Sequence, residues 1–291
     1  MTAILFHLKN VIKSIYSTFH HFDIKVYDKN QTLKYILQNN SSVIRFGDGE
    51  FDIIHGENII YQQYNQELAK RLTNLILNGS SKELIVCLPD VFHELNRYNT
   101  NAKKFYKQNF FWKNRIFLEE IQTHNNCYGS TFISRPYIDL KNKRGTDIYF
   151  KALKELWNNK NILIVEGKYS RSGEGNDLFK NAKTIQRIIC PPHDAFSKLK
   201  IIEQSIKDNC KNKTVLLMLG PTAKIVIDDL KYLNIQMIDL GHIDSEYEWF
   251  KMGVTTKVQI PNKHTAEVQS NQEILINTDH NFDKQVIKII E

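Results

Sequence analysis

The stretch SSVIRFGDGEFDIIHG, residues 41–56, indicates how this chain is built. Apolar Val43 and Ile44 predict a buried strand, which runs directly into two glycines and two carboxylates. A tight turn accounts for the glycines, because glycine adopts backbone conformations that other residues avoid. It does not account for Asp48 and Glu50, so the end of this strand is also a candidate functional site.

The pattern of a strand followed by a helix recurs along the chain. Five further apolar runs are typical of parallel strands covered on both faces: LIVCLP (84–89), NILIVEG (161–167), TIQRIIC (184–190), TVLLMLG (214–220) and IQMIDLG (235–241). Helical spacing marks the stretches NQELAKRLTNLIL (65–77), TDIYFKALKELWNN (146–159), SKLKIIEQSIKDN (197–209) and PTAKIVIDDLKYL (221–233). This alternation predicts an α/β fold with a doubly wound, mostly parallel sheet flanked by helices.

Three segments interrupt this alternation or lie outside it. Residues 1–30 predict an amphipathic helix that packs on the domain or a partner, or lies on a membrane surface; its apolar residues are Leu5, Leu8, Ile12, Ile15 and Phe19. Residues 96–134 are rich in aromatic and basic residues and predict a helical insertion in a main domain of residues 31–253. Residues 254–291 form a polar tail, interpreted as an appendage such as an exchanged arm.

The composition is that of a globular protein, with 42% hydrophobic and 24% charged residues, and so argues against disorder. The formal charge of +7 favours an anionic partner: nucleic acid, a phosphorylated small molecule or an anionic membrane surface. The four cysteines form no CxxC pair and are typical of reduced thiols in a cytosolic protein. No apolar run approaches the roughly 20 residues of a membrane span. We expect a cytoplasmic protein, with the N-terminal helix as a contact to the cytoplasmic face of a membrane if it binds one.

The end of the first strand, RFGDGE (45–50), is the first of three candidate sites, because ligands of open α/β sheets bind beyond the carboxyl ends of the strands. Gly47 and Gly49 allow a ligand to approach the backbone closely. Asp48 and Glu50 are one residue apart and could both face one hard cation such as Mg²⁺ or Mn²⁺. An acidic surface turn is the alternative.

The second candidate is the loop VEGKYSRSGEGND, residues 165–177. Backbone N–H groups and a helix start could cradle a phosphate there, and two cations would neutralise its charge. The loop matches neither the Walker A pattern nor GxGxxG, and a mobile polar loop is the alternative. The phosphate-binding residues expected here are Lys168, Arg171, Ser172, Gly173, Gly175 and Asn176.

The third candidate consists of two consecutive strand ends, MLGPTAK (218–224) and DLGHIDSEYEW (239–249). In the first, Gly220, Thr222 and Lys224 could hold another anion at a helix start. The second presents a further D-x-E beside a histidine, which could supply a general base or more metal ligands; these residues are His242, Asp244 and Glu246. A capped surface helix is the alternative.

Taken together, the acidic clusters, the cationic loop and the aromatic insertion favour a diphosphate ligand on a divalent metal, and a sugar nucleotide fits that description. A non-catalytic nucleotide- or polyanion-binding module is an alternative, although it leaves both acidic clusters unexplained. ILIVEGK (162–168) is similar to the opening of TOPRIM nucleic-acid enzymes. The D-x-D pair that a TOPRIM domain needs at the end of a later strand is missing, so nucleic acid is not the expected partner.

Seven motifs, taken together and in order, resemble the GT-D-fold bacterial glycosyltransferases over residues 31–253. They are SVIRFGDGEFDII (42–54), YQQYNQELAKRL (61–72), LIVCLPDVF (84–92), YGSTFISRPY (128–137), ILIVEGKYSRSGEGNDLF (162–179), LMLGPTAK (217–224) and DLGHIDSEYEWFKMG (239–253). The resemblance implies a single Rossmann-like domain, a UDP-sugar donor and a metal, usually Mn²⁺, held by a D-x-E motif. It also implies transfer of a hexose, glucose or galactose favoured, to a glycan acceptor on a protein or lipid carrier.

The chain holds two D-x-E motifs, and we assign the metal and the diphosphate to Asp48 and Glu50 because their glycine neighbours suit a close approach to phosphate. Arg45 would be a cation near the diphosphate or a partner that orients Asp48. We expect the second D-x-E and its histidine across the site, where they activate the acceptor or add metal ligands. The reverse assignment of the two D-x-E motifs stays open, as does assembly into a homo-oligomer.

Overall fold

The computed structural model describes residues 13, 16, 20–265, 267–268 and 279–291. The predicted N-terminal helix lies almost wholly outside these residues, since Leu5, Leu8, Ile12, Ile15 and Phe19 are not among them. None of the helices in the described part combines the length and apolarity that crossing a membrane requires. All four cysteines are free thiols, and Cys87, Cys190 and Cys210 are buried.

The described part of the chain forms one sheet of nine parallel strands, which are β1 (Lys25–Val26), β2 (Ser42–Arg45), β3 (Leu84–Leu88), β4 (Cys127–Ser130), β5 (Asn161–Gly167), β6 (Thr184–Cys190), β7 (Thr214–Met218), β8 (Met237–Asp239) and β9 (Val286–Ile289). Their order across the sheet is β1-β4-β3-β2-β8-β7-β5-β6-β9. The parallel α/β fold is thus confirmed, and all six predicted strands are present.

The α-helices described in the chain are α1 (Lys29–Asn39), α2 (Asp48–Ile54), α3 (Gln66–Asn78), α4 (Thr100–Phe105), α5 (Phe111–Thr123), α6 (Thr146–Lys154), α7 (Leu199–Asn209), α8 (Pro221–Leu230), α9 (Ile243–Met252) and α10 (His280–Gln285). Local sequence explains several of the helix starts. Asp28 and Gln31 form a capping box before α1, the Asn65 side chain caps α3, and Pro221 occupies the first turn of α8.

The two faces of the sheet carry separate apolar cores, because successive side chains of a strand point to opposite faces. On β2, Ile44 packs into the core shared with α2, α3, α5, α7 and α8, whereas Val43 packs into the core shared with α1, α6 and α9. On β5, Leu163 and Ile164 divide between the same two cores in the same way. This two-sided covering explains why the strands are near-continuous apolar runs.

The strands of the N-terminal half, β1 to β4, lie on one side of the sheet, and those of the C-terminal half, β5 to β9, lie on the other. The two halves meet where β2 pairs with β8. Val43 and Ile238 are aligned across this seam. Side chains reinforce it: the Met237 N–H donates to Ser42 Oγ over 3.0 Å, and Arg45 Nε donates to the Asp239 carbonyl over 2.8 Å. Such a switch point opens a crevice at the carboxyl ends of the strands.

Two segments differ from the sequence-based expectation. The aromatic segment 96–134 is helical through α4, a π-helical turn (Tyr106–Phe110) and α5, but it then returns to the sheet as β4. Gly129 in β4 has a physical reason, because a Cβ there would lie 2.8 Å from Cys87, Ile85 and Thr32. The polar tail contributes α10 and the edge strand β9, which pairs in parallel with β6.

Candidate active site

A cavity of about 620 Å³ lies at the carboxyl ends of the strands, on both sides of the β2–β8 seam. The segments that follow β2, β4, β5, β6, β7 and β8 line it, together with the loop after α2 and part of the polar tail. The charged and aromatic residues of the lining include Arg45, Asp48, Glu50, Asp52, Tyr61, Arg135, Tyr169, His193, Lys224, His242, His264 and Glu267.

Asp48 offers its carboxylate to the cavity from the first position of α2, directly after the N-cap residue Gly47. Asp48 is exposed, and its carboxylate forms no ion pair with the described residues; a hydrogen bond to its own backbone N–H and the positive charge of Arg135 act to lower its pKa. The surrounding walls desolvate the carboxylate in part and raise the pKa of Asp48 overall, and the negative charge of Glu267 raises it further. Both effects would be relieved by a bound cation.

Glu50 has its oxygens engaged within the protein. Oε1 lies 2.6 Å from Lys224 Nζ, and Oε2 accepts the Gly47 N–H over 2.8 Å. Lys224 also lies 2.9 Å from Asp239 Oδ2, and Asp239 in turn pairs with Arg45 over 3.5 Å. The prediction that Glu50 binds a metal stays a prediction, and it requires the cation to compete with Lys224.

Asp239 is the fully buried centre of this network and was not singled out from the sequence. Burial alone would raise its pKa, but the positive charges of Lys224 and Arg45 outweigh that effect and lower the pKa. Arg45 also donates from Nη1 to the Thr131 carbonyl over 3.1 Å. The predicted cations Arg45 and Lys224 therefore border the cavity as members of an existing charge network.

His242 is the N-cap residue of α9 and lines the cavity. Burial lowers its pKa to about 4, so its imidazole is neutral near pH 7. The ring centroid lies 6.0 Å from that of Tyr61. A neutral imidazole at the cavity wall can accept a proton.

Asp244 and Glu246 do not line the cavity. Asp244 Oδ1 accepts the Gly173 N–H over 2.7 Å and Asn176 Nδ2 over 2.9 Å, while Oδ2 lies 2.9 Å from Lys263 Nζ. Glu246 Oε2 accepts the N–H groups of Tyr137 and Ile138 over 3.0 and 3.1 Å. Burial raises the pKa of Glu246 to about 7. Both carboxylates thus hold neighbouring loops from behind the cavity wall.

The glycine-rich loop after β5 is folded mainly against the protein. Its backbone N–H groups at Ser172 and Gly173 donate to the buried carboxylates of Glu166 and Asp244. Arg171 pairs with Glu174 and stacks on the Phe282 ring, and Lys168 is exposed. From this loop, the residues that line the cavity in the described part of the chain are Gly167, Tyr169 and Ser170.

The remaining predicted residues divide between the cavity and the protein interior. Gly175 and Asn176 lie outside the lining, and Asn176 bonds to Asp244 and Glu248. Gly220 lines the cavity, as do Gly47 and Gly49, whereas Thr222 is buried and donates to Gln62. Gly47 has φ −113° and Gly49 has no positive φ, so the backbone does not require glycine at either position.

Sequence reasoning missed several residues that line the cavity, among them Tyr61, Arg135, His264 and Glu267. Tyr61 and Arg135 lie inside motifs that carry the family resemblance, and this position could have indicated them as site residues. His264 and Glu267 lie beyond residue 253, in the polar tail. His264 Nε2 lies 2.7 Å from the Tyr61 hydroxyl, and Glu267 pairs with Arg135.

Comparison with known proteins agrees with the fold. The family described as "Glycosyltransferase GT-D fold" matches residues 43–268, which include Glu267 of the tail. "Probable glycosyl transferase Gly" of Streptococcus gordonii is 47% identical over 264 residues, 91% of this chain and 38% of that protein. "Glycosyltransferase GlyD" of Streptococcus pneumoniae serotype 4 is 44% identical over 264 residues, 91% of this chain and 32% of that protein.

The chain therefore spans about a third of the length of these two relatives. A solved structure described as "A New Glycosyltransferase (DUF1792) from Streptococcus sanguinis" superposes with a TM-score of 0.88 at 46% identity, covering 92% of this chain and all of that one. Another, described as having "a distinct glycosyltransferase fold", gives a TM-score of 0.85 at 46% identity over 97% of this chain and all of that one. The chain belongs to the GT-D-fold glycosyltransferase family.

Proposed function

We propose that the chain transfers a hexose, glucose or galactose favoured, from a UDP-sugar to a glycan acceptor with the help of a divalent metal. The observation that carries the proposal is the unpaired Asp48 carboxylate in a cavity of about 620 Å³, a size that suits a small-molecule ligand. The acceptor would belong to protein glycosylation or surface-polysaccharide assembly, carried on a protein or a lipid.

The charges around the cavity support a metal-dependent diphosphate site. Three cations line the described cavity (Arg45, Arg135 and Lys224), against four carboxylates (Asp48, Glu50, Asp52 and Glu267). Each of the three cations is already paired with a carboxylate of the protein. A diphosphate alone would thus find no uncompensated positive charge among these residues, and a divalent cation would supply it.

Asp48 fits as the protein ligand of Mn²⁺ or Mg²⁺. Small divalent ions of this kind are commonly held by one or two carboxylates together with substrate phosphates and water. Within the described residues no group of three acidic, histidine or cysteine side chains forms a complete metal cage, so the donor diphosphate would supply further ligands. When bound, the metal stabilises the negative charge that develops on the departing UDP.

The protein's own residues would prepare the acceptor. His242, neutral and at the cavity wall, would accept the proton of the acceptor hydroxyl on an imidazole nitrogen. The network of Glu50, Lys224, Asp239 and Arg45 would keep Asp48 and the start of α2 in place. Asp244 and Glu246 would act indirectly, by holding the loops that form the walls.

The direct test is UDP release from UDP-glucose and UDP-galactose with Mn²⁺ present. We expect turnover with at least one of the two donors and its loss on adding EDTA. Calorimetric titration with each donor in the presence of Mn²⁺ gives an independent measure. If no UDP-sugar binds under those conditions, the proposed function is wrong.

The membrane contact predicted for the N-terminal helix remains a separate proposal. Sedimentation of the full chain and of a chain lacking residues 1–20 with anionic lipid vesicles would test it. Binding that persists without those residues would contradict a membrane contact through the predicted helix.

A further inference from the structure

The chain after α9 returns to the cavity as a segment without helix or strand, which we call the strap: residues 254–265, 267 and 268. Two of its side chains, His264 and Glu267, belong to the cavity lining. The strap thus forms part of the wall of the proposed active site, although it lies outside the strand–helix alternation.

Lys263 is the buried anchor of the strap, with 6% of its surface exposed. Its ammonium lies 2.9 Å from Asp244 Oδ2 and 3.3 Å from Glu248 Oε1, both on α9. Burying an ammonium group is costly unless carboxylates compensate its charge. The position of Lys263 is therefore tied closely to these two carboxylates.

The strap touches α9 and the 131–140 loop at a second place. Trp249 Nε1 donates to the Val258 carbonyl over 2.8 Å. Ile260 packs with Tyr137, Ile138 and Trp249 in a small apolar cluster. This cluster holds the strap on both sides of Lys263, because Val254, Val258 and Val268 also pack against it, but it includes neither His264 nor Glu267.

His264 follows Lys263 directly and is held from both ends. Its N–H donates to the Tyr169 carbonyl over 3.0 Å, and its Nε2 lies 2.7 Å from the Tyr61 hydroxyl. Glu267 pairs with Arg135 and with Lys257, at a more exposed place. Of the strap's charged contacts, the Lys263 contact is the buried one, and it lies next to a cavity residue.

We propose that Lys263 is a positioning residue: its buried ion pairs with Asp244 and Glu248 hold the strap so that His264 and Glu267 form one wall of the active site. Asp244, the first carboxylate of the second D-x-E motif, thereby acts on the reaction through the strap, without touching the substrate. The kinetic part of this inference rests on the proposed function, whereas the structural part does not.

The first test measures hydrogen exchange of residues 254–265 in the full chain. Lys263→Gln removes the charge, and we expect faster exchange across this segment at a temperature well below unfolding. Lys263→Arg keeps the charge and should restore slow exchange. Lys251→Gln is the matched control, because Lys251 is an exposed lysine of α9 that lies 3.4 Å from Asp177. Unchanged exchange in Lys263→Gln would overturn the inference whether or not UDP-sugars are substrates.

The second test is a double-mutant cycle on UDP-sugar turnover. Lys263→Gln should lower kcat/KM by about ten- to a hundredfold, the range that displacement of a site wall can cause. Glu267→Gln should add little in the Lys263→Gln background, because the strap is then already displaced. Fully additive effects, or no rescue of activity by Lys263→Arg, would contradict positioning through the strap.

Discussion

Asp48 and Glu50 lie at the start of α2, Asp244 and Glu246 at the start of α9, and the strands before these helices are neighbours in the sheet. The two D-x-E motifs nevertheless have different surroundings. The first places one unpaired carboxylate in the cavity, whereas both carboxylates of the second are engaged by loops behind its wall.

The difference follows from the position of each motif relative to its helix cap. Asp48 follows the N-cap Gly47 directly, whereas Asp244 is the second residue after the N-cap His242. A shift of one residue rotates a side chain by roughly 100° around a helix axis. Identical spacing within a motif therefore does not give identical directions, and the cap determines which side chain faces the ligand.

The largest expected effect comes from Asp48→Asn. Removal of the carboxylate charge should lower turnover of the UDP-sugar by about a hundredfold or more, as loss of a charge-stabilising group in an active site does. The melting temperature should change little, because Asp48 has no ion pair among the described residues. Asp147→Asn, an exposed aspartate in the first turn of α6, is the control and should leave turnover unchanged.

Asp244→Asn should have the opposite effects: a large loss of stability and little change in UDP binding. It brings an amide N–H₂ against the Lys263 ammonium, so we expect a loss of about 3 kcal/mol in the free energy of unfolding in urea. Mn²⁺-dependent UDP binding to the folded fraction should be largely retained. An unchanged stability together with abolished UDP binding would mean that the two motifs have the opposite roles.

The pH dependence of stability tests the surroundings of His242, which lies two residues before the second motif. Its pKa is lowered from 6.5 to about 4 in the folded protein, so the unfolded chain takes up a proton first as the pH falls. The folded state therefore loses stability as the pH falls from about 6.5 to about 4. In His242→Asn we expect the fall in the free energy of unfolding over this range to be smaller by about 2 kcal/mol. Parallel urea titrations of both proteins at several pH values measure it, and identical pH profiles would contradict a buried neutral imidazole.

The smallest effect on stability is expected from Gly49→Ala. A Cβ at this position meets Ile59 at 3.4 Å, and alanine suits a helix better than glycine, so the free energy of unfolding should change by less than about 1 kcal/mol. If the donor approaches the backbone here, calorimetry should show weaker UDP binding with Mn²⁺. Unchanged binding would mean that the donor does not approach the backbone at Gly49.

The central strands could be predicted from the sequence, because the apolar composition of runs such as NILIVEG itself indicates a buried strand. It was insufficient for β1, β4 and β9, which are short and whose pairing partners lie far along the chain. The position of Asp48 at a strand end could be predicted, because the apolar run directly before it indicates the strand. The partner of Glu50 could not, since Lys224 comes to it from another helix 174 residues later (224 minus 50). His264 and Glu267 could not be predicted, because a polar segment without apolar periodicity does not indicate that it folds back to the cavity.

The seam between β2 and β8 has a consequence for how the protein folds. It joins residues 195 positions apart (238 minus 43), while most other strand pairs join nearer neighbours along the chain. Closing so long a loop is slow, so each half of the sheet is expected to form before the two dock. Because Arg45, Asp48, Lys224 and His242 come from both halves, catalytic competence should appear with this docking step and lag behind the gain of secondary structure during refolding.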